Sequence, residues 1–221
     1  MLNLLLSAAI PFQRLVDEPS PTHSFINLQA VVILKADGRR TQGGWLDRHL
    51  ADFNQGCDWA DTNWGNVGHM YDPQTGRGFR GWPCAPDLTA QYWAQAVRHA
   101  QAGAGAQAAY YLGAAAHLVQ DLCVPHHAAA RLFAGHSEFE AYARRYRHRY
   151  AAHDGGIYDL ATAPADWTTA NARYARAHYS TCITPHLTRL HMHRAISDLL
   201  PRAQRTTAGF VAQFLHQTEV A

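Results

Sequence analysis

At 221 residues with 48% apolar side chains, the chain is long enough to bury one sizeable core and fits a single domain. A formal charge of +2 is too small to imply a polyanion as partner. Alanine is abundant, β-branched runs are short and apolar residues recur at helical spacing, so the expected class is an all-α helical bundle, and fifteen histidines direct attention to metal binding.

Residues 1–12, MLNLLLSAAIPF, form a short apolar run that ends in small residues. This run reads as the remnant of a secretory signal with Ser7-Ala8-Ala9 at the cleavage position, although it lacks the basic residues that usually precede one. It is too short to span a bilayer. Residues 1–19 are therefore set apart from a helical domain over 20–221. Cys57, Cys84, Cys123 and Cys182 form no CxxC pair and read as small buried hydrophobes, with one or two disulfides open to them in an exported chain.

After Pro19-Ser20-Pro21, the string THSFINLQAVVILKAD reads as an amphipathic helix capped by Thr22 or Ser20. His23 falls in its first turn, where a side chain can leave the helix and reach a neighbour. A second helix is expected over about Gly44 to Gln55, with Trp45, Leu46, Leu50 and Phe53 on its inner face. The following GCDWADTNWGNVGHMYDPQTGRGFRGWP is rich in Gly, Asn, Asp and Trp and reads as a long loop, the kind of segment where binding residues concentrate. Helix returns from Pro86 through Ala102 and, after QAGAGAQ, in a central helix. Further helices are expected at about 134–152, 165–179, 185–199 and 201–217, broken by Asp154-Gly155-Gly156, Pro185 and Pro201.

The densest signal lies between Tyr110 and Glu140, in HLVQDLCVPHHAAARLFAGHSEFE. His117 and Asp121 are four apart, as are His136 and Glu140, and a four-residue step puts two side chains on one helix face, about 5–6 Å apart at Cβ. Pro125 should end or kink the helix near Val124 and turn His127 out of line toward a shared cavity. His117 and Asp121 also sit among Leu112, Ala114, Ala115, Leu118, Val119 and Leu122, and a buried carboxylate is rare unless paired or metal-bound. The pattern predicts a polynuclear metal site between helices. Imidazole with carboxylate suits zinc, whereas magnesium or calcium calls for mainly oxygen donors.

These residues resemble the bacterial zinc-dependent phospholipase C family, whose catalytic domain is a helical bundle holding three zinc ions. The family's His, three residues, Asp, three residues, Pro, one residue, His is met in HLVQDLCVPHH, which implies His117, Asp121 and His127 as ligands; the following pair implies His136 and Glu140. HMYDP resembles a His-aromatic-Tyr-Asp-Pro string and implies His69, with Met70 where an aromatic is usual, and THSFI implies His23. The resemblance spans about residues 20 to 215. It departs in that no tryptophan precedes Trp45 to supply N-terminal ligand atoms, a role that processing after Ala9 would give to Ile10. The family's upstream acid, a zinc ligand and general base, corresponds to Asp58 or Asp61, and GCDWAD favours Asp61.

The resemblance implies a phosphodiesterase with two to three zinc ions, most simply a phospholipase C that releases diacylglycerol and a phosphorylated headgroup from phosphatidylcholine-like lipids. Asp121 would bridge two ions, with His69 and His117 on one and His23 on the other, while His127, His136 and Glu140 hold the third. Trp59, Trp64 and Tyr71 are candidate walls for a choline-like headgroup. The expected partner is phospholipid at a membrane surface, met by a secreted monomer without a transmembrane segment, and no nucleic acid is expected. Alternatives are a single-strand zinc nuclease and a non-catalytic helical zinc-binding protein.

Overall fold

The structure is a computed structural model that describes residues 21–62, 68–79, 83–131, 135–182 and 188–220. The expectations for residues 1–20, for Trp64 and for Pro185 lie outside those residues. The helices are α1 (Pro21–Ala36), α2 (Arg40–Arg48), α3 (Leu50–Ala60), α4 (Ala85–Gln101), α5 (Gly105–Asp121), α6 (His136–Tyr146), α7 (Pro164–Arg176), α8 (Tyr179–Cys182) and α9 (Arg189–Thr218). Short 3₁₀ turns cover His127–Ala129 and Arg147–Tyr150. An isolated bridge between Asp72 and Arg77 is the extended pairing among the described residues, so the class is all-α as expected. No described helix is long and apolar enough to cross a membrane.

Helix α5 is the axis of the bundle, packed between α3 and α4 and buried over nearly all of its second half, from Leu112 to Asp121. One apolar cluster gathers Phe53, Trp93, Leu112, Trp167, Phe210 and Phe214 around one side of it. The other gathers Ile26, Leu118, Leu122, Phe139, Ile196 and Leu199. Each fully buried side chain of this size contributes about 1.5–3 kcal/mol. The polar end of α5 can therefore be set between two apolar masses that fix its position.

Four expectations are corrected. The helix foreseen over Gly44 to Gln55 is two helices, α2 and α3, with the backbone stepping aside at His49 (φ −105°, ψ 16°) while Phe53 N–H still donates to the His49 carbonyl. Helix α3 then runs on to Ala60, so Cys57, Asp58 and Trp59 are helical and the long loop begins only at Asp61. Gly56 is a packing residue, not a loop signal: a Cβ there would lie 1.8 Å from the Tyr110 carbonyl oxygen, and one on Gly113 would lie 2.0 Å from that of Phe53. The absence of both side chains lets α3 and α5 touch backbone to backbone.

Pro201 likewise fails to break the chain, and α9 runs through it. Proline removes one helical hydrogen bond and crowds the preceding turn, but Ile196, Leu199, Leu200 and Ala203 bury both flanking turns in one cluster and hold the helix together. Nor is α1 a simple amphipathic helix: Phe25, Ile26, Asn27, Gln29, Ala30, Val31, Ile33 and Leu34 are all buried, so most of its circumference is covered. The helix expected over 134–152 is α6 followed by a 3₁₀ turn, and the one over 165–179 is α7. All four cysteines are free thiols, three of them buried.

Candidate metal centre

The apolar packing of α5 delivers His117 and Asp121 to one place, and Leu122 caps the helix there, so the chain leaves the axis just before Pro125. The 3₁₀ turn that follows carries His127 back under the helix end, anchored by the Tyr71 N–H donating to the His127 carbonyl. Helix α1 contributes His23 from its first turn, the end of α3 contributes Asp61, and α6 contributes His136 and Glu140. His69 comes from the segment between α3 and α4.

Asp121 is the centre of this arrangement. Its Oδ2 lies 2.8 Å from His69 Nδ1, 3.2 Å from His117 Nε2 and 3.4 Å from His127 Nδ1, and its Oδ1 lies 3.4 Å from His23 Nε2. Asp61 Oδ1 stands 4.0 Å from His69 Nδ1 and 3.9 Å from His117 Nε2. On the other side Glu140 Oε1 is 2.9 Å from His136 Nε2 and 3.5 Å from His127 Nε2. Three groups have ligand atoms close enough to share a cation: His23 with His117 and Asp121, Asp61 with His69 and His117, and His127 with His136 and Glu140. All eight residues singled out from the sequence thus meet in one cluster. Asp58, one turn away inside α3, belongs to none of the three groups.

The donor set asks for a cation. His69 Nε2 lies 3.1 Å from the Ala60 carbonyl, which can only accept, so that nitrogen carries the proton. In the neutral ring the lone pair of Nδ1 then faces the Asp121 carboxylate at 2.8 Å and His117 Nε2 at 3.1 Å. His23 repeats the pattern. Its Nδ1–H donates to Gln120 Oε1 at 2.7 Å, which leaves the lone pair of Nε2 toward Asp121. Lone pairs and carboxylate oxygens converging at these distances repel one another unless protons or a metal stand between them. His117 Nδ1 and His127 Nδ1 are also buried without a hydrogen-bond partner.

Electrostatics point the same way. Burial raises the pKa of the Asp121 carboxyl, but His117 and His127 outweigh it and hold the group well below its ordinary value. Burial lowers that of the His117 imidazole, yet Asp121, Asp61 and Asp58 more than offset this and lift it to about 9. His127 is raised against its burial by Asp121 and Glu140. His69 and His23 are lowered, burial being the largest cause in both. Glu140, pushed up by burial, is held down by its bonds to His127 and His136. Asp121 and Glu140 are therefore ionised, and a divalent ion bound beside them would displace the protons held by His117 and His127.

Gln120 escaped the sequence reading. Its Nε2 donates to Asn27 Oδ1 at 2.7 Å and Thr207 Oγ1 at 3.2 Å, while the Thr207 hydroxyl donates to the Ala203 carbonyl. That order fixes which end of the amide faces His23, and with it the His23 tautomer. The available signal was an amide at a buried position of an otherwise apolar helix. Asp61 and Glu140, with side chains 45% and 43% exposed, mark the opening of the site, whereas His69, His117, Asp121 and His127 form its buried floor. Trp59 stands 41% exposed, its ring against Tyr92, Tyr110 and Tyr111. Tyr71 is half-buried against the cluster formed by Leu118 and Leu122.

A family model described as zinc dependent phospholipase C matches residues 22–199. Phospholipase C of Clostridium perfringens strain ATCC 13124 is 26% identical over 232 residues, covering 88% of this chain and 58% of the relative, and that of strain 13 matches equally. The chain thus spans less than two thirds of the relatives' length. Among solved structures, alpha toxin from Clostridium absonum superposes with a TM-score of 0.77 at 24% identity, covering 90% of this chain and 64% of the other. The alpha-toxin of an avian strain of Clostridium perfringens gives 0.76 at 23% identity, covering 89% and 63%. These two likenesses establish the fold.

Proposed function

We propose that this chain, which belongs to the zinc-dependent phospholipase C family, hydrolyses phosphatidylcholine-like glycerophospholipids to diacylglycerol and a phosphorylated headgroup. The observation that carries this reading is the convergence of four imidazoles on the buried Asp121 carboxylate, with His136 and Glu140 completing a second group beside them. His23, Asp61, His69, His117, Asp121, His127, His136 and Glu140 would hold two to three zinc ions, in the groups their distances define. Zinc bound there supplies Lewis acidity toward water and toward the phosphodiester.

The chain's own residues supply the rest. Asp121, ionised and reached from both carboxylate oxygens, spans the ligands on either side and fixes their separation. Asp61, at the end of α3 and half-exposed, would accept the proton of an attacking water on its Oδ1. His69 and His23 are kept in one tautomer each by Ala60 and Gln120, so their free nitrogens face inward without rearrangement. Three carboxylates do not neutralise two to three divalent ions, which leaves a cationic pocket suited to a phosphodiester anion. Trp59 offers an exposed ring for a choline-like cation. The proposal takes the chain to act as a monomer at a membrane surface outside the cytoplasm.

The test is to incubate the purified full chain with phosphatidylcholine and with a chromogenic phosphocholine ester. Release of diacylglycerol and phosphocholine, abolished by a chelator and restored by zinc, is the expected result. Cleavage of single-stranded DNA without lipid turnover would replace this reading with a nuclease, and zinc binding without turnover of either would replace it with a binding protein.

A further inference from the structure

From His136 to Tyr150, α6 and the 3₁₀ turn after it read HSEFEAYARRYRHRY. Both acids, Glu138 and Glu140, lie in the first half. Beyond them every charged side chain is basic: Arg144, Arg145, Arg147 and Arg149, with His148 between. Arg144, Arg145, His148 and Arg149 are exposed. Among the described residues none of the four arginines forms an ion pair with a carboxylate. They contact aromatic rings and backbone: the Arg149 and Arg145 guanidiniums stand 4.9 and 5.5 Å from the Tyr146 ring, and Arg147 donates to the Arg144 carbonyl at the helix end.

Helix α9 continues the patch. The Tyr150 hydroxyl lies 2.7 Å from His193 Nδ1, which sets the first turns of α9 beside the 3₁₀ turn. Leu190 and Arg194, three residues before and one after His193, are exposed there, Leu190 by 53%. The first acid on α9 is Asp198, already engaged by His178 and by the Tyr174 hydroxyl. The position of the patch is set by α6 itself: Arg144 lies four residues, one turn, beyond Glu140 at the opening of the metal centre.

Unpaired like charges held together on one face repel, and an anionic surface opposite them relieves that repulsion. We infer that the basic face of α6 and its 3₁₀ turn docks this chain on anionic phospholipid, with Leu190 entering the interface and the opening of the metal centre turned toward the bilayer. The choice of lipid as occupant rests on the activity proposed above. It is favoured over a nucleic acid because the Tyr146 ring, on the patch itself, is already taken by Arg145, Arg149 and Tyr142, 4.5 Å from it, whereas an exposed leucine beside arginines suits an interface of headgroups and acyl chains.

The experiment is co-sedimentation of the full chain with vesicles of phosphatidylcholine alone and of phosphatidylcholine mixed with phosphatidylserine, at low and high salt. Wild type should prefer the anionic vesicles, and high salt should weaken that preference. The triple variant Arg144→Gln/Arg145→Gln/Arg149→Gln, which spares the helix-capping Arg147, should bind them about a hundredfold more weakly, from roughly fivefold per arginine. Its turnover of a soluble phosphocholine ester should match wild type. Equal binding to both vesicles, wild-type binding by the triple variant, or tighter binding to a single-stranded oligonucleotide than to anionic vesicles at one ionic strength would each overturn the inference. Because sedimentation reads binding and not turnover, a chain that docks but turns over no lipid removes the proposed activity and leaves the docking face standing.

Discussion

Asp121 and Glu140 both sit four residues from a histidine of the cluster, yet their surroundings give them different weights. Asp121 is reached by His23, His69, His117 and His127, whereas Glu140 is reached by His127 and His136. Asp121→Asn should therefore lose both zinc and turnover, and should lose more zinc than Glu140→Gln; wild-type zinc in Asp121→Asn would contradict its central place. Asp61, half-exposed and farther from the imidazoles, should matter more to rate than to metal. Asp61→Asn is expected to lower kcat by at least about a hundredfold while keeping most of the zinc, and Asp58→Asn to change kcat little. Gln120 acts one step removed, through His23. Gln120→Leu removes the acceptor for His23 Nδ1–H and should weaken zinc binding by about 10–100-fold, read by competition with a chelator, with a change in the His23 tautomer seen by nitrogen NMR. The cluster was legible because a four-residue step and a proline bend are local features of the chain; Gln120 was not, since its contacts lie with Asn27 and Thr207, residues distant in sequence.

At the scale of helices, sequence rules that treat glycine and proline as punctuation misread Gly56 and Pro201, in both cases because tertiary packing decides. Gly56 and Gly113 let α3 and α5 approach backbone to backbone, and that approach carries the last turn of α3, with Asp61 at its end, toward His69 and His117. Gly113→Ala would place a methyl 2.0 Å from the Phe53 carbonyl oxygen. The forced separation should cost at least about 1–3 kcal/mol, as overpacking typically does, measured as a lower midpoint of urea unfolding, and should weaken zinc binding by moving Asp61. A variant as stable as wild type would show that the crossing is less tight than drawn. In α9, buried residues on either side of Pro201 carry the helix through a residue that propensity alone would make a boundary.

For the whole molecule, the same charges tie folding to pH and to metal. In metal-free protein the raised His117 contributes stability that is complete below its ordinary value of 6.5 and is lost as pH climbs through about 9. The depressed Asp121 and Glu140 contribute stability that is complete above their ordinary values of 3.8 and 4.5 and is lost as pH falls below them. The lowered His23 and His69 oppose the raised His117 on the acid side, where their contribution is lost as pH falls below 6.5, so the melting temperature of the metal-free chain should peak near pH 6.5. Zinc should raise that temperature most on the alkaline side, where the imidazoles give up their protons without competition. A metal-free chain that gains stability steadily from pH 6.5 to 9 would contradict the charge assignment. The most direct test of the central claim is the zinc content of the purified, dialysed chain by elemental analysis: three candidate groups, two of which share His117, predict about two to three ions per chain, and less than one would contradict the account.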